Sequence, residues 1–230
     1  MIFAKFAITI ILSYLLGSIP YGVIIGRLFA KVDVRKYGSG KMGATNVMRV
    51  AGKKAAVIVF ICDLMKGVLA VLIAWSIFRE GAKVVPDSAD WWMVKGAPAA
   101  AALAAMIGHT WPIFLKFQGG RGVATFYGGL AVLCPPAFLI GGQITLLSAG
   151  LTRYVSLGSI AGAIGAYTVL LPLTIFNGYP IELLLYSLAG TIGLIISHRD
   201  NIERLVAGTE RRIGERKIKA AEPPSEQIPE

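Results

Sequence analysis

Seven long apolar segments constrain the fold of this chain more than any motif does. They lie at residues 4–29, 55–78, 97–115, 122–134, 136–151, 155–176 and 180–197. Backbone polar groups cannot reach water inside a bilayer, and a helix satisfies them within one segment. The mean hydropathy is +0.66, and only 16% of residues are charged, against roughly a quarter in soluble domains. The sequence therefore predicts an all-α polytopic membrane protein with about seven transmembrane helices.

The fourth and fifth segments form one apolar run that is broken at Cys134-Pro135-Pro136. Adjacent prolines disfavour a continuous helix, so the run is either two short helices joined by a tight turn or one broken helix. We prefer two helices because seven spans place the basic loops and the C-terminal tail on the same side of the membrane. Residues 1–219 are expected to form a single integral-membrane domain. The Pro/Glu-rich end, residues 220–230, is expected to be disordered.

Loop charges orient the predicted helices. Residues 31–54 carry seven basic groups and one acid, a bias typical of cytoplasmic loops. Seven spans then place the N-terminus outside, the loop at residues 79–95 outside, and the C-terminus in the cytoplasm. Cys62 and Cys134 lie in apolar segments and are predicted to be free thiols. Neither a metal nor a cofactor is expected, and no basic domain with interleaved aromatics indicates nucleic acid.

Three polar clusters interrupt the apolar pattern, and the predicted topology places all three on one membrane face. The first combines backbone freedom with small hydrogen-bonding side chains, and Arg49 follows it as a phosphate ligand; its members are Gly38, Ser39, Gly40, Thr45 and Asn46. The second has glycines around one guanidinium, followed by a helix start whose N–H groups suit an anion; its members are Gly119, Gly120, Arg121, Gly122 and Thr125.

The third cluster follows the last apolar segment and contains His198 and Asn201, with Glu210 further on. It also reads as a short amphipathic interfacial helix, capped by Asn201 or Asp200 and ended by Gly208. Ser156, in a polar turn, is as well suited to an ordinary turn as to the same site.

Two charged residues fall inside the second apolar segment. Asp63 and Lys66 are three residues apart, so they share a helix face and are predicted to pair. His109, near the end of the third segment, is predicted to be a hydrogen-bonded structural residue. No GxSxG elbow, HExxH motif or carboxylate pair is present, so neither a covalent serine mechanism nor a metallohydrolase is supported.

Together these segments resemble the bacterial acyl-phosphate:glycerol-3-phosphate acyltransferases (PlsY). The resemblance is carried by GSGKMGATNVMR (38–49), GHTWPIFLKFQGGRGVAT (108–125) and HRDNIERLVAGTE (198–210), with Gly17-Ser18-Ile19-Pro20 and Asp63-x-x-Lys66-Gly67. It implies a seven-helix inner-membrane enzyme whose cytoplasmic site moves a fatty acyl group from acyl phosphate to the 1-hydroxyl of glycerol 3-phosphate. The implied partners are these two substrates and membrane lipid. Lys41 and Arg121 stand where that family commonly has asparagine and lysine.

A mechanism follows as a hypothesis. Arg49, Arg121 and the glycine N–H groups would offset the repulsion of two phosphates, while Ser39, Asn46, His198 and Asn201 would orient the acceptor. Gly38, Gly40, Thr45, Gly119, Gly120, Gly122, Thr125 and Ser156 complete the expected binding set, with Asp63, Lys66, His109 and Glu210 as support. The proton acceptor is either His198 or the donor's own phosphate. The alternatives are a transporter of a phosphorylated metabolite and a non-enzymatic scaffold.

Overall fold

A computed structural model describes residues 1–79 and 91–214, and the fold in these ranges is helical. The helices are α1 (Ile2–Ser18), α2 (Tyr21–Ala30), α3 (Ala44–Ala51), α4 (Lys53–Phe78), α5 (Trp91–Thr110), α6 (Val123–Leu133), α7 (Pro135–Thr152), α8 (Val155–Asn177), α9 (Ile181–Ser197) and α10 (Arg199–Val206). Short 3-10 turns occur at Val34–Lys36 and Ile113–Leu115. The predicted outer loop falls largely, and the predicted disordered tail entirely, outside the described residues.

Every predicted apolar segment is helical, although not every helix is long enough to span a bilayer. Within the described ranges, four segments have the required length and hydropathy: Ile2–Ala30, Lys53–Phe78, Trp91–Leu115 and Val155–Asn177. The pair Ile181–Ser197 and Arg199–Val206, bent by 60°, makes a fifth if it is counted as one span. The all-α membrane class is thus confirmed, and the count of seven crossings stays a prediction.

The prolines separate two helices, as preferred from the sequence. Helix α6 ends at Leu133, and α7 begins at Pro135, where proline is tolerated because the first helical N–H groups have no partner. Helix α6 has only 11 residues, which corresponds to about 16 Å. It is therefore about half as long as the hydrocarbon core is thick.

Close helix crossings hold the bundle together. The main pairs are α7 with α8, α1 with α5 and α4 with α6. In the α4–α6 pair, Gly67 lies against the backbone of Thr125 and Gly128, and Gly128 lies against the carbonyl of Leu64. Small residues let backbones approach closely, which is how helices associate without a hydrophobic drive. Large apolar side chains such as Phe176 and Leu151 remain exposed, as expected for surfaces that meet lipid.

The short helix after the last apolar segment is present as α10, but its predicted cap is wrong. The N-cap position is His198, and no side chain caps the helix there. Asn201 Nδ2 instead donates to the Glu210 carboxylate at 2.6 Å, and a charged acceptor makes this a strong hydrogen bond. Gly208 follows the end of the helix with a φ of +69°, a left-handed conformation that glycine adopts without strain.

Candidate active site

The three polar clusters meet around one cavity of about 320 Å³. Its polar wall contains Ser39, Lys41, Thr45, Asn46, Arg49, Asp63, His109, Arg121, Thr145, Ser156, Ser159, His198, Asn201, Arg204, Glu210 and Arg211. Its apolar wall contains Phe60 from α4, Val123 and Ala124 from α6, and Leu146 and Ala149 from α7. The site therefore joins a strongly cationic surface to an apolar one.

Asn46 organises the loop that carries Ser39. Its Oδ1 accepts the Ser39 N–H at 2.9 Å, and its Nδ2 lies within 3.1 Å of the carbonyl oxygens of Val34, Tyr37 and Lys41. A Cβ at Gly38, where φ is +60°, would collide with Asn46 Oδ1. The side chain is thus committed to the loop backbone, so the expectation that it orients substrate is replaced by a role in positioning Ser39.

The glycine N–H groups are not free for an anion. The N–H of Gly119 donates to the Thr110 carbonyl at 3.2 Å and that of Gly120 to the His109 carbonyl at 3.0 Å. In the first loop the Gly40 N–H donates to the Tyr37 carbonyl. These three glycines and Gly38 are absent from the cavity wall. The N–H groups of Gly40, Gly119 and Gly120 are therefore already used in folding their loops, which contradicts their expected contact with phosphate, and the contact expected of Gly38 stays a prediction.

Arg121 presents a nearly buried guanidinium to the cavity. Its Nε is buried without a hydrogen-bond partner in residues 1–79 and 91–214. Burial lowers the pKa of Arg121 to about 10, with Glu210 opposing the effect and Arg204 adding to it. The group remains a cation at neutral pH. A buried cation of this kind is stabilised by an anionic ligand.

Helix α6 starts at the cavity, directly after Arg121. Gly122, with a φ of +79°, precedes the helix, and Gly122, Val123 and Ala124 all line the cavity. The first N–H groups of a helix have no intrahelical partners and carry the positive end of its dipole. The predicted helix start is therefore placed where it can stabilise negative charge.

Thr125 points away from the cavity, contrary to its expected role in binding. The residue is fully buried, and its Oγ1 donates to the Asp63 carbonyl of α4 at 2.9 Å. At the third position of α6 the side chain lies on the face that packs against α4. Thr125 therefore ties two helices together.

Asp63, Lys66 and His109 form a buried cluster behind the second loop. Lys66 Nζ lies 2.9 Å from Asp63 Oδ1, and His109 Nδ1 lies 3.3 Å from the same oxygen. Gly120 packs against His109 Nε2, where a Cβ would collide with the ring. The predicted ion pair is confirmed, and it connects α4 and α5 to the loop that carries Arg121.

His198 lies at the bend between α9 and α10 and is 1% exposed. Its Nδ1 is 2.8 Å from the Leu194 carbonyl, so Nδ1 carries the proton and Nε2 is the acceptor. Burial lowers the pKa of His198 to about 4, and the charge of Arg121 contributes. The ring is therefore neutral at pH 7. It accepts a hydrogen bond readily, but it is a weak base.

Glu210 gathers the remaining polar groups. Its carboxylate accepts hydrogen bonds from Ser156 Oγ at 2.9 Å, Asn201 Nδ2 at 2.6 Å and Arg204 Nε at 2.8 Å. Burial acts to raise the pKa of Glu210, but these donors outweigh it and the pKa is lowered. Asn201 Oδ1 is buried without a partner in the described ranges. A buried acceptor of this kind calls for a donor from a ligand.

The sequence did not indicate several wall residues. Arg204 and Arg211 sit in an ordinary charged stretch, and Phe60 and Leu146 resemble any other lipid-facing residue. Only the three-dimensional meeting of α4, α7, α10 and the segment after α10 brings them to one cavity.

The sequence of this chain is similar to those of known glycerol-3-phosphate acyltransferases. Residues 7–208 match the glycerol-3-phosphate acyltransferase family model. A glycerol-3-phosphate acyltransferase 3 of Dehalococcoides mccartyi is 47% identical over 216 residues, covering 94% of this chain and 99% of that protein. A glycerol-3-phosphate acyltransferase of Halalkalibacterium halodurans is 42% identical, covering 89% and 94% of the two chains.

Two crystal structures of PlsY (YgiH), an integral membrane glycerol 3-phosphate acyltransferase, have the same fold. The glycerol 3-phosphate form has a TM-score of 0.77 and 38% identity, covering 91% of this chain and 96% of that one. The lysophosphatidic acid form has a TM-score of 0.75 and 37% identity, covering 91% and 95%.

Proposed function

Because the chain belongs to the glycerol-3-phosphate acyltransferase family, we propose that it transfers a fatty acyl group from acyl phosphate to the 1-hydroxyl of sn-glycerol 3-phosphate. The products are lysophosphatidic acid and phosphate. The observation that carries the proposal is the cavity itself, in which partly buried cations face an apolar wall. A phosphorylated acceptor and an acyl donor need these two surfaces together.

Two phosphate groups must lie side by side for the transfer. Arg49 and Arg121 line the cavity, and both offer a planar set of donors that suits phosphate oxygens. Arg121 is the stronger candidate because its Nε is buried without a partner in the described part of the chain. Lys41 adds a further positive charge at the wall. These cations reduce the repulsion between the two substrates.

The acceptor needs its hydroxyls held beside the phosphate site. His198 Nε2 and Asn201 Oδ1 are acceptors at the wall, since the Nδ1 of the former and the Nδ2 of the latter are engaged in the protein. They are suited to receive hydrogen bonds from the glycerol hydroxyls. Ser39 and Thr45 complete this part of the wall.

The chemistry requires no covalent enzyme intermediate. The 1-hydroxyl oxygen attacks the acyl carbonyl carbon, the bond from that carbon to the phosphate oxygen breaks, and phosphate leaves with the electron pair. The leaving phosphate takes the hydroxyl proton, because the low pKa of His198 makes it a weak base. Positioning of the two substrates supplies up to roughly 7–11 kcal/mol. The N–H groups at the start of α6 stabilise the oxyanion.

The acyl chain has an apolar route to lipid. Phe60 of α4 and Leu146 of α7 line the cavity and are also largely exposed. The N-terminal turn of α6 lies between them, with Val123 and Ala124 at the wall. We assign the acyl chain to this opening between α4 and α7.

Placement in the membrane is part of the proposal. Seven crossings of the bacterial inner membrane, an outside N-terminus and a cytoplasmic C-terminus put the cavity at the cytoplasmic face, and residues 1–219 form one domain. Single cysteines at positions 40, 118, 135 and 200, in a background without Cys62 and Cys134, test this arrangement. Positions 40, 118 and 200 should react from the cytoplasm and position 135 from outside. Labelling of positions 40 and 200 from opposite sides contradicts it.

The activity is tested on purified protein in detergent. Palmitoyl phosphate with glycerol 3-phosphate should release phosphate and form lysophosphatidic acid, and omission of either substrate should abolish product. Palmitoyl-CoA is the control donor. Turnover of palmitoyl-CoA without turnover of palmitoyl phosphate overturns the donor assignment, and absence of product with both overturns the function.

A further inference from the structure

We propose that Arg153, which lies outside the cavity wall, is a positioning residue for glycerol 3-phosphate binding. It fastens the segment Thr209–Gly214, here called the C-terminal strap, across the mouth of the cavity and so holds Glu210 in place. The inference rests on the proposed function, because it concerns the acceptor side of that site.

The strap is clasped at the turn between α7 and α8. The Ile213 N–H donates to the Arg153 carbonyl at 2.8 Å. The Arg153 guanidinium donates back to the Ile213 carbonyl, from Nη2 at 2.8 Å and from Nε at 3.3 Å. Arg153 follows α7 in a left-handed conformation, with a φ of +65°. Its carbonyl lies beyond the helix and is available to accept from Ile213. One residue thus binds both backbone groups of Ile213.

A second fastening lies beside the first. Arg212 Nε donates to the Tyr154 hydroxyl at 3.1 Å, and the Arg212 guanidinium carbon lies 5.3 Å from the Tyr154 ring centroid. Tyr154 immediately precedes α8, whose first residues line the cavity. The clasp therefore joins the strap to the same element that carries Ser156.

The strap supplies part of the cavity wall through Glu210, Arg211 and Ile213. Glu210 binds Ser156 of α8 and Asn201 of α10 at once, and it orients the Asn201 amide so that Oδ1 faces the acceptor. If Glu210 withdraws, both side chains lose their fixed orientation. The clasp thus acts on the substrate through Glu210.

Apolar packing holds the strap only weakly. Residues 206–208, which lead into it, and Thr209, its first residue, are exposed, and Ile213 is half-buried. Segments with few buried apolar contacts open easily, so hydrogen bonds determine where this one lies. Arg153 itself is exposed, and removing it leaves no buried cavity. Its loss is therefore expected to affect the site without unfolding the bundle.

The test measures KM for glycerol 3-phosphate and kcat in Arg153→Ala, Arg153→Lys and the matched control Arg199→Ala. Arg199 is 80% exposed and pairs with Asp200, so the control removes the same charge without touching the strap. We expect KM to rise about five- to tenfold in Arg153→Ala, the scale of the net contribution of one ordinary hydrogen bond, with kcat changed less than twofold. Arg153→Lys should recover part of the loss, and Arg199→Ala should match wild type.

Two further measurements make each outcome decisive. Tyr154→Phe removes the hydroxyl that accepts from Arg212 and should raise KM about two- to threefold. This variant tests the clasp independently in case Arg153→Ala is expressed poorly. Calorimetric binding of glycerol 3-phosphate should show the same ratios as KM. Wild-type KM in Arg153→Ala, or equal increases in Arg153→Ala and Arg199→Ala, overturns the clasp. Wild-type protein that binds glycerol 3-phosphate but transfers no acyl group overturns the proposed function. The clasp is then tested by the binding constants of the variants alone.

Discussion

Replacing Arg121 with glutamine should weaken catalysis and leave the empty protein at least as stable. Without a ligand the guanidinium is nearly buried, and its pKa is lowered to about 10. A depressed pKa means that the folded state disfavours the cation at every pH below the folded pKa, and the cost is relieved only as the pH rises above about 10. The shift corresponds to at most about 3 kcal/mol. A neutral side chain removes that cost.

The same substitution removes the buried donors that we assign to phosphate. Hydrogen bonds to charged groups contribute about 1.5–3 kcal/mol, so kcat/KM should fall roughly 10- to 150-fold. Phosphate release from palmitoyl phosphate and glycerol 3-phosphate measures this loss. Thermal unfolding in phosphate-free detergent buffer measures stability, and Arg199→Gln, at an exposed position, is the control.

The effect of inorganic phosphate on thermal stability provides a third test of the Arg121 site. Added inorganic phosphate should raise the Tm of the wild type more than that of Arg121→Gln, because only the wild type has the full site. Unchanged kcat/KM in Arg121→Gln would refute the assignment of phosphate to this residue. A lower Tm in phosphate-free buffer would refute the argument that the buried cation is unfavourable before a ligand binds.

Four other perturbations test the supporting groups. Asn46→Asp should lower kcat/KM at least about tenfold, because a carboxylate cannot donate to the three loop carbonyls and leaves them unsatisfied; steady-state kinetics measures it. Lys66→Met should destabilise the protein by about 3–5 kcal/mol, since it leaves a buried carboxylate without its main partner; denaturant unfolding measures it. His198→Gln should raise KM while kcat falls less than about tenfold, whereas a true general base would cost roughly 10²–10⁴ in kcat. Glu210→Gln should lower Tm at neutral pH, and the difference from wild type should close as the pH falls through the lowered pKa of Glu210, because the stability given by this carboxylate is present above the usual glutamate pKa and is lost once it is protonated.

Matched variants separate these effects from general disturbance. Asn177→Asp and Lys95→Met change exposed residues beside a second cavity formed at other helix ends, and both should behave as wild type. A wild-type rate in Asn46→Asp, wild-type stability in Lys66→Met, or a pH-independent difference for Glu210→Gln would each contradict the role given to that residue. A large fall in kcat with unchanged KM in His198→Gln would restore the histidine as the base.

Hydropathy predicted the helices of this fold because an apolar segment in a bilayer must satisfy its own backbone hydrogen bonds. Each apolar segment became a helix, and the Asp63–Lys66 pair formed because helical spacing alone puts the two groups on one face. The meeting of three distant loops at one cavity was also expected from the membrane face assigned to each loop, and that assignment stays a prediction. Such features depend on periodicity, which a sequence displays directly.

Side-chain and N–H directions inside irregular loops were not predictable in this way. Asn46 looked like a substrate ligand, yet it binds its own loop, and the Gly120 N–H faces His109 rather than the cavity. Thr125 turned toward α4 because the α4–α6 crossing fixes the rotation of the helix. Each outcome depends on which backbone group lies nearby after packing, and residue type alone does not encode that.

The shortness of α6 determines where the cavity lies along the bundle. Its Leu133 end shares a second cavity with the ends of α4 and α8, whereas its first turn lies level with Asp63, ten residues inside α4. Ten helical residues correspond to about 15 Å, so the candidate site lies about 15 Å along α4 from its first residue. With the proposed acyl phosphate donor, one reactant would reach this site by lateral diffusion in the membrane and the other from water. The supply of donor would then depend on its surface density in the membrane rather than on its bulk concentration.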